Sequence, residues 1–259
     1  MERASKREIQ FVSALKRRKD RWESKAFVVE GIKMVLELLR TDLELHRVYV
    51  NDTIAPESLP IEIVSRDPKL LSDRDFKRAS SLVNPEGILA VFTIPEYPPQ
   101  WSGKRWLIAD RINDPGNLGT LMRSAEWFGA DAFICTPQTV DRYHPKVVQA
   151  SKGSVGRLHH FEADPHEVMR QAEKHGVQII ALDMGGDSMA SSRVPRACGL
   201  ILGNETHGIS EVWKDANLPS WTIENFSKDD SMDSLNVAMA GTLALHWVAT
   251  HQPENPETV

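Results

Sequence analysis

The chain has 259 residues, 41% of them hydrophobic and 26% charged, with a net charge of −5, which is enough for one or two domains at about 150 residues each. This balance excludes a disordered chain, a collagen and a coiled-coil rod, and no run reaches the ~18–20 apolar residues of a membrane span. Two cysteines, Cys135 and Cys198, sit inside apolar runs. That is the pattern of buried thiols in a reduced, cytoplasmic protein, and the charged first 25 residues lack the apolar core of a secretory signal.

Residues 5–20 are predicted as one amphipathic helix, with Ile9, Val12 and Leu15 at helical spacing and Lys16, Arg17, Arg18, Lys19 and Arg21 clustered at its end. Residues 27–29 form a strand, and Glu30-Gly31 opens a helix to about Arg40. Strands follow at 47–50 and 61–65, a helix at 67–81 and a strand at 87–94. This makes a small α/β domain over residues 1–95. Pro95, Pro98, Pro99 and Gly103 cannot continue a helix or a central strand, so residues 96–103 are assigned as the linker.

The second half, residues 104–251, has continuous apolar runs at 106–110, 132–136, 178–182, 200–203 and 221–223, separated by helical patterns at 118–128, 165–175 and 234–250. Continuous runs indicate strands buried on both faces, and strand–helix alternation indicates a parallel sheet covered by helices. Residues 252–259 form a polar tail expected to fray. Charge is uneven: residues 1–40 hold 11 lysines and arginines against 6 acids, and the remaining 219 hold 20 against 30. A basic head on an acidic body fits contact with a polyanion, or alternatively a solvated helix face.

Ligands of open parallel sheets bind beyond the carboxyl ends of the strands, which directs attention to three loops. The first, residues 110–119, holds Asp114-Pro115-Gly116-Asn117 at a helix start suited to an anion, with Arg123 further along. The second, residues 200–209, ends an apolar strand in Gly203 and continues through Asn204, Glu205 and His207. The two-residue spacing of Glu205 and His207 is poor for a metal site, and none is assigned. The third, residues 231–241, offers Ser234 or Asp233 as helix N-cap, Asn236 in the first turn, and small residues for close packing. Taken singly, each also reads as a turn or a capped helix. Gly185-Gly186-Asp187 matches neither a dinucleotide turn nor a P-loop.

In this order and spacing the loops resemble the three motifs of the SpoU/TrmH group of SPOUT methyltransferases. The first motif is matched by Asp114-Pro115-Gly116-Asn117-Leu118-Gly119 and Arg123, the second by Leu202, Gly203, Glu205, Gly208, Ile209 and Ser210, and the third by Ser234-Leu235-Asn236-Val237 and Ala240. The first half is similar to that group's ribosomal-protein-like substrate-binding domain, as carried by residues 27–31 and 85–91. The resemblance implies a parallel-sheet domain with a deep trefoil knot, a homodimer with composite sites, S-adenosylmethionine as methyl donor without a metal, and RNA as substrate. It further implies transfer to a ribose 2′-hydroxyl, with ribosomal RNA favoured over transfer RNA. Asn117, Arg123, Glu205, Ser234 and Asn236 become the expected catalytic group, with Arg123 clamping a phosphate. Leu202, Gly203, Ile223 and Leu235 become the donor contacts, and Lys16, Arg17, Arg18, Lys19, Arg21 and Lys25 the RNA contacts. One departure stands out. Glu224 follows Ile223 where the group has proline, and the segment to Ser234 is long and acidic, with Asp229, Asp230 and Asp233. This supports a second reading, a weakly catalytic RNA-binding or assembly factor on the same scaffold.

Overall fold

The computed structural model describes residues 1–226 and 234–253. The chain divides into two compact units, residues 1–96 with 141–157, and residues 97–140 with 158–259. A division into contiguous halves did not anticipate that residues 141–157 pack with the first unit.

The first unit opens with α1 (Lys6–Ala14), started by a reciprocal cap in which Ser5 and Glu8 each bond the other's backbone N–H. The single helix expected over 5–20 is in fact two, because α2 (Arg18–Ser24) begins after Arg17 turns to an extended conformation. Arg21 supplies the reason: its Nη1 donates to the carbonyls of Leu15 and Lys16, 2.8 Å each, and so satisfies them outside the helix ladder. Next come β1 (Ala26–Glu30), α3 (Ile32–Leu38), β2 (Leu45–Asn51), α4 (Ile61–Val64), β3 (Lys69–Leu71), α5 (Asp73–Ala79) and β4 (Ile88–Thr93). Residues 61–65 are thus a helical turn, not a strand. Pro60 starts it and only Ile63 is buried, and so short an apolar run cannot be assigned by periodicity. The helix expected over 67–81 is confined to α5, where Ser72 accepts from the Asp75 N–H as N-cap; β3 precedes it. The sheet order is β1-β4-β2-β3, and only the β2–β3 pair is parallel.

The second unit contains β5 (Arg105–Ala109), α6 (Pro115–Trp127) and β6 (Ala132–Cys135). The chain then forms α7 (Pro145–Ser151), which belongs to the first unit. It returns as β7 (His160–Glu162), α8 (Pro165–His175), β8 (Gln178–Ser188), β9 (Cys198–Leu202), α9 (Glu211–Asp215), β10 (Ser220–Thr222) and α10 (Val237–His251). The sheet runs β10-β8-β9-β5-β6-β7 with every pairing parallel. Strands β6 and β9 are buried throughout and β5 from Trp106 onward, as continuous apolar runs require. Both cysteines are buried, and burial pushes the Cys198 thiol up to about 12.

One expectation near the chain's end is corrected. Asn236, not Ser234, caps α10, its side chain accepting from the N–H groups of Ala238 and Met239; Asp233 lies outside the described residues. Gln252, the first residue of the expected tail, donates to the carbonyls of Arg196, at 3.0 Å, and Lys104. The rest of the tail, residues 254–259, lies outside the described residues.

Candidate active site

Strand β5 leaves the core at Asp110, whose carboxylate is 1% exposed. Its Oδ1 accepts from Thr136 Oγ1 at 2.8 Å and its Oδ2 from the Ser210 N–H at 2.6 Å. Arg111 follows in the left-handed region, at φ 55°, a conformation that persists only where neighbours hold it. The holding groups are visible. The Arg111 N–H donates to Thr136 Oγ1 (3.2 Å) and Thr139 Oγ1 (3.1 Å), and its carbonyl accepts from Asn204 Nδ2 (3.1 Å). Side chains from the loops after β5, β6 and β9 therefore lock one another. The motif reading gave no role to Asp110, Thr136, Thr139 or Asn204. The available signal was a polar residue directly after each buried apolar run.

Asp114 then caps α6, taking the Asn117 N–H at 2.8 Å, with Pro115 at the first helical position. The anion expected at this helix start is thus Asp114 itself. The cap fixes Asn117, which donates through Nδ2 to Glu205 Oε1 at 2.9 Å and accepts at Oδ1 from Asn236 Nδ2 at 2.9 Å. Asn236 Oδ1 in turn accepts from two N–H groups of α10. Because those N–H groups can only donate, they determine which atom of each amide is oxygen all along the row. The result is a directional line from the α10 N-terminus through Asn236 and Asn117 to the Glu205 carboxylate, with one member from each of the three motifs.

Three of the five expected catalytic residues meet in this way. Arg123 does not join them. It is exposed in the third turn of α6 and forms no hydrogen bond or ion pair with a described residue. Ser234 is likewise exposed, ahead of the Asn236 cap.

The expected donor contacts stand at the carboxyl ends of β9 and β10 and before α10. Gly203 is required by close approach, since a Cβ there would lie 2.2 Å from the Gly208 carbonyl carbon and 2.3 Å from the Ile209 nitrogen. The loop it opens is closed by paired backbone bonds between Asn204 and Gly208, 2.9 Å each, with Glu205 at the exposed tip and His207 exposed beside it. The Leu202 side chain is buried, its methyl group 2.6 Å from where a Gly241 Cβ would stand, so it seats α10 on β9. Ile223 is half-buried and Leu235 is exposed. Glu224 is anchored to Ser188 Oγ, a hydrogen bond that holds its carboxyl below the usual range. Asp229, Asp230 and Asp233 lie outside the described residues.

In the first unit the six expected RNA contacts separate. Arg21 is withdrawn from the set: it is 1% exposed, with Nε and Nη2 on Asp141 Oδ2 at 2.9 and 2.5 Å. Arg17 pairs with Asp20, Lys19 with Glu23 and Lys25 with Glu96, all with lysine or arginine side chains largely in solvent. Lys16 donates to the Arg78 carbonyl, and Arg18 is exposed.

A parallel sheet whose strand-end loops carry a polar row and a glycine-lined turn defines an enzyme of the ligand-binding α/β class. Comparison with known proteins gives the class its family. The SpoU rRNA Methylase family matches residues 104–246, and an MRM3-like substrate binding domain matches residues 6–90. The chain is 26% identical over 248 residues to a 23S rRNA (guanosine(2553)-2′-O)-methyltransferase of Bacillus subtilis, covering 95% of this chain and 97% of that one. A TrmH-family protein from Porphyromonas gingivalis superposes with a TM-score of 0.80 at 28% identity, over 95% of this chain and 98% of that one. An AdoMet-bound rRNA methyltransferase from Sinorhizobium meliloti superposes at 0.81 and 25% identity, over 98% of each chain. The chain belongs to the SpoU rRNA Methylase family. It is an RNA methyltransferase with S-adenosylmethionine as donor.

Proposed function

We propose that this enzyme methylates a ribose 2′-hydroxyl of ribosomal RNA. The observation that carries the reading is the row Asn236–Asn117–Glu205, which joins all three motifs in one hydrogen-bonded line. The relative from B. subtilis carries ribosomal RNA 2′-O-methylation in its name. S-adenosylmethionine, when bound, supplies a sulfonium methyl group open to in-line attack. The ribose hydroxyl is a weak nucleophile, so the protein's contribution is alignment and charge placement, which together account for roughly 7–11 kcal/mol of a barrier in well-oriented systems. Asn236, held by α10, fixes Asn117, and Asn117 fixes Glu205 Oε1. Glu205 Oε2, which among the described residues has only Asn204 Nδ2 at 3.5 Å, stays open to accept from the hydroxyl. Arg123, its guanidinium free of described partners, clamps the adjoining phosphate; a guanidinium holds its proton too firmly to serve as the base. Ser234 lies at the entrance to the α10 cap and completes the group. Gly203, Ile223 and Leu235 border the donor.

The enzyme works as a homodimer with composite sites, in this reading. Trp127 on α6 is 81% exposed and Met239 on α10 is 62% exposed, with Leu243 one turn beyond, an apolar surface of the kind a second copy covers. The resemblance also carries a trefoil knot into the second unit. Ribosomal RNA as substrate and two buried thiols fit a cytoplasmic enzyme. RNA is gripped partly through Lys16, Arg17, Arg18, Lys19 and Lys25, and replacing Arg17, Arg18 and Lys19 by alanine flattens the salt dependence of binding.

Transfer of labelled methyl from S-adenosylmethionine to ribosomal and transfer RNA from cells lacking the gene, followed by digestion to nucleosides, tests the function. Labelled 2′-O-methylnucleoside from ribosomal RNA supports it. Label in transfer RNA moves the substrate class, and label on a base overturns the chemistry. No label together with lost donor binding returns the weakly catalytic assembly factor, whereas no label with donor binding intact assigns the failure to the way the RNA was presented.

A further inference from the structure

The first unit has an open cavity of about 380 Å³ between β1, the loop at residues 81–83 and α7, a size in the range of pockets that hold small organic groups. Its two sides differ in chemistry. Glu30 lies at the inner end, 6% exposed, with Oε1 accepting from the Ser81 N–H at 2.7 Å and Oε2 from Ser80 Oγ. These bonds pin the loop, which carries Val83 at 96% exposure and Leu82 beside it. The opposite wall presents Lys146 and Lys152, both exposed and neither paired with a described residue, and Gln149, whose amide makes no hydrogen bond to one.

The lysines belong to a charge pattern. Residues 141–157 hold Arg142, Lys146, Lys152 and Arg157 against one acid, Asp141, and Arg21 neutralises that acid in the core. With this segment the first unit has 21 lysines and arginines against 17 acids, whereas the second has 10 against 19. The chain thus adds cations to the first unit from a segment far along the sequence, and places two of them at the rim of a cavity with apolar walls.

We propose that this cavity receives one unpaired nucleotide of the RNA substrate; the proposal rests on the RNA reading above and adds the place and form of contact. The polarity sets the orientation. A carboxylate at the inner end repels phosphate and accepts from base N–H groups, so the base enters. Leu82 and Val83 cover its face, Gln149 meets its edge, and the phosphates stay at the rim on Lys146 and Lys152. Unpaired bases splayed from the chain are what proteins read in RNA, because the grooves of A-form helices hide the base edges.

The test uses the full-length protein and an unmodified 23S rRNA transcript substituted with 4-thiouridine. The expected result is photo-crosslinking to peptides containing residues 81–83 or 146–152. Lys146→Ala with Lys152→Ala should raise the Kd for this RNA about tenfold and flatten the log Kd against log salt slope by about 1.4, two single-strand phosphate contacts at about 0.7 each. Lys→Arg at both positions should restore the slope. Val83→Asp should raise the Kd and remove the crosslink without touching the core, and the unfolding midpoint of each variant without RNA should match the wild type. Crosslinks confined to other peptides, or an unchanged slope, overturn the proposal. So does a loss with the lysine variant alone, which reduces the rim to phosphate contact with nothing inside. If the cavity binds an acidic protein segment instead, RNA binding is unmoved by all variants. Methyl transfer measured on the same wild-type preparation separates the two readings: binding and crosslinks without label remove the proposed chemistry and leave the cavity's role standing.

Discussion

The two units handle buried charge in opposite ways. In the first, Arg21 and Asp141 form an ion pair that is almost wholly enclosed, with the Trp22 indole N–H as a further donor at 3.2 Å. In the second, Asp110 is as deeply buried, but among the described residues it meets no cation closer than Arg111 Nε at 3.8 Å; neutral donors from Thr136 and Ser210 hold it. An ion pair ties two distant stretches of chain together and contributes geometry more than stability. A carboxylate on neutral donors orients the loops at the strand ends. The binding unit keeps its free cations outside. The catalytic unit keeps its polar atoms where three loops converge.

The largest effect should come from breaking the ion pair. Arg21→Met leaves the Asp141 carboxylate buried without a partner and frees the carbonyls of Leu15 and Lys16, so the folded state should lose about 3–5 kcal/mol in denaturant titrations. Arg21→Met with Asp141→Leu should recover most of that loss. If the single variant unfolds like the wild type, the pair does not organise the first unit.

The matching change in the second unit acts on rate rather than on stability. Asn236→Asp keeps an acceptor for the Ala238 and Met239 N–H groups but removes the donor to Asn117 Oδ1. Transfer should fall by about 10²–10³, the usual cost of one preorganised donor, while thermal unfolding and S-adenosylmethionine titration stay near wild type. Asn117→Ala should lose a similar amount. Near-normal turnover in both would show that the row is a cap and nothing more. A step smaller, Gly203→Ala forces a Cβ into the Gly208–Ile209 backbone. It should weaken donor affinity more than stability, as isothermal titration against melting would show.

How much of this was legible follows the range of the interactions. The strands at 106–110, 132–136, 178–182 and 200–203 were readable because burial on both faces leaves continuous apolar runs, the short β10 from the run around its buried Trp221, and α8 because Asp164 and Gly176 bracket it. Asn117, Glu205 and Asn236 were readable as motif members, but their contact was not, since 88 and 119 residues separate Asn117 from its partners. The break between α1 and α2 was hidden because a side chain, Arg21, competes for helix carbonyls, and propensity does not register that. Arg21 looked like its basic neighbours. Only the position of Asp141, 120 residues away, distinguishes a core cation from a surface one. For the same reason the membership of residues 141–157 in the first unit left no local trace.

The smallest effect sharpens the contrast at α7, the element that joins the first unit from a distance. His144 is its N-cap: the ring Nδ1 accepts from the Lys146 N–H at 3.2 Å, so the neutral ring is the form that caps. Burial, then the charges of Arg21 and Lys146, push its pKa below 6.5, against an opposing pull from Asp141. The unfolded chain therefore binds the proton more readily than the folded one, and stability should decline as pH falls below about 6.5. His144→Asn keeps a capping acceptor and does not titrate. Melting curves at pH 7.5 and 5.5 should show a larger drop for the wild type than for His144→Asn. Equal drops would assign the acid sensitivity to other groups and leave His144 as a cap whose protonation the fold does not oppose.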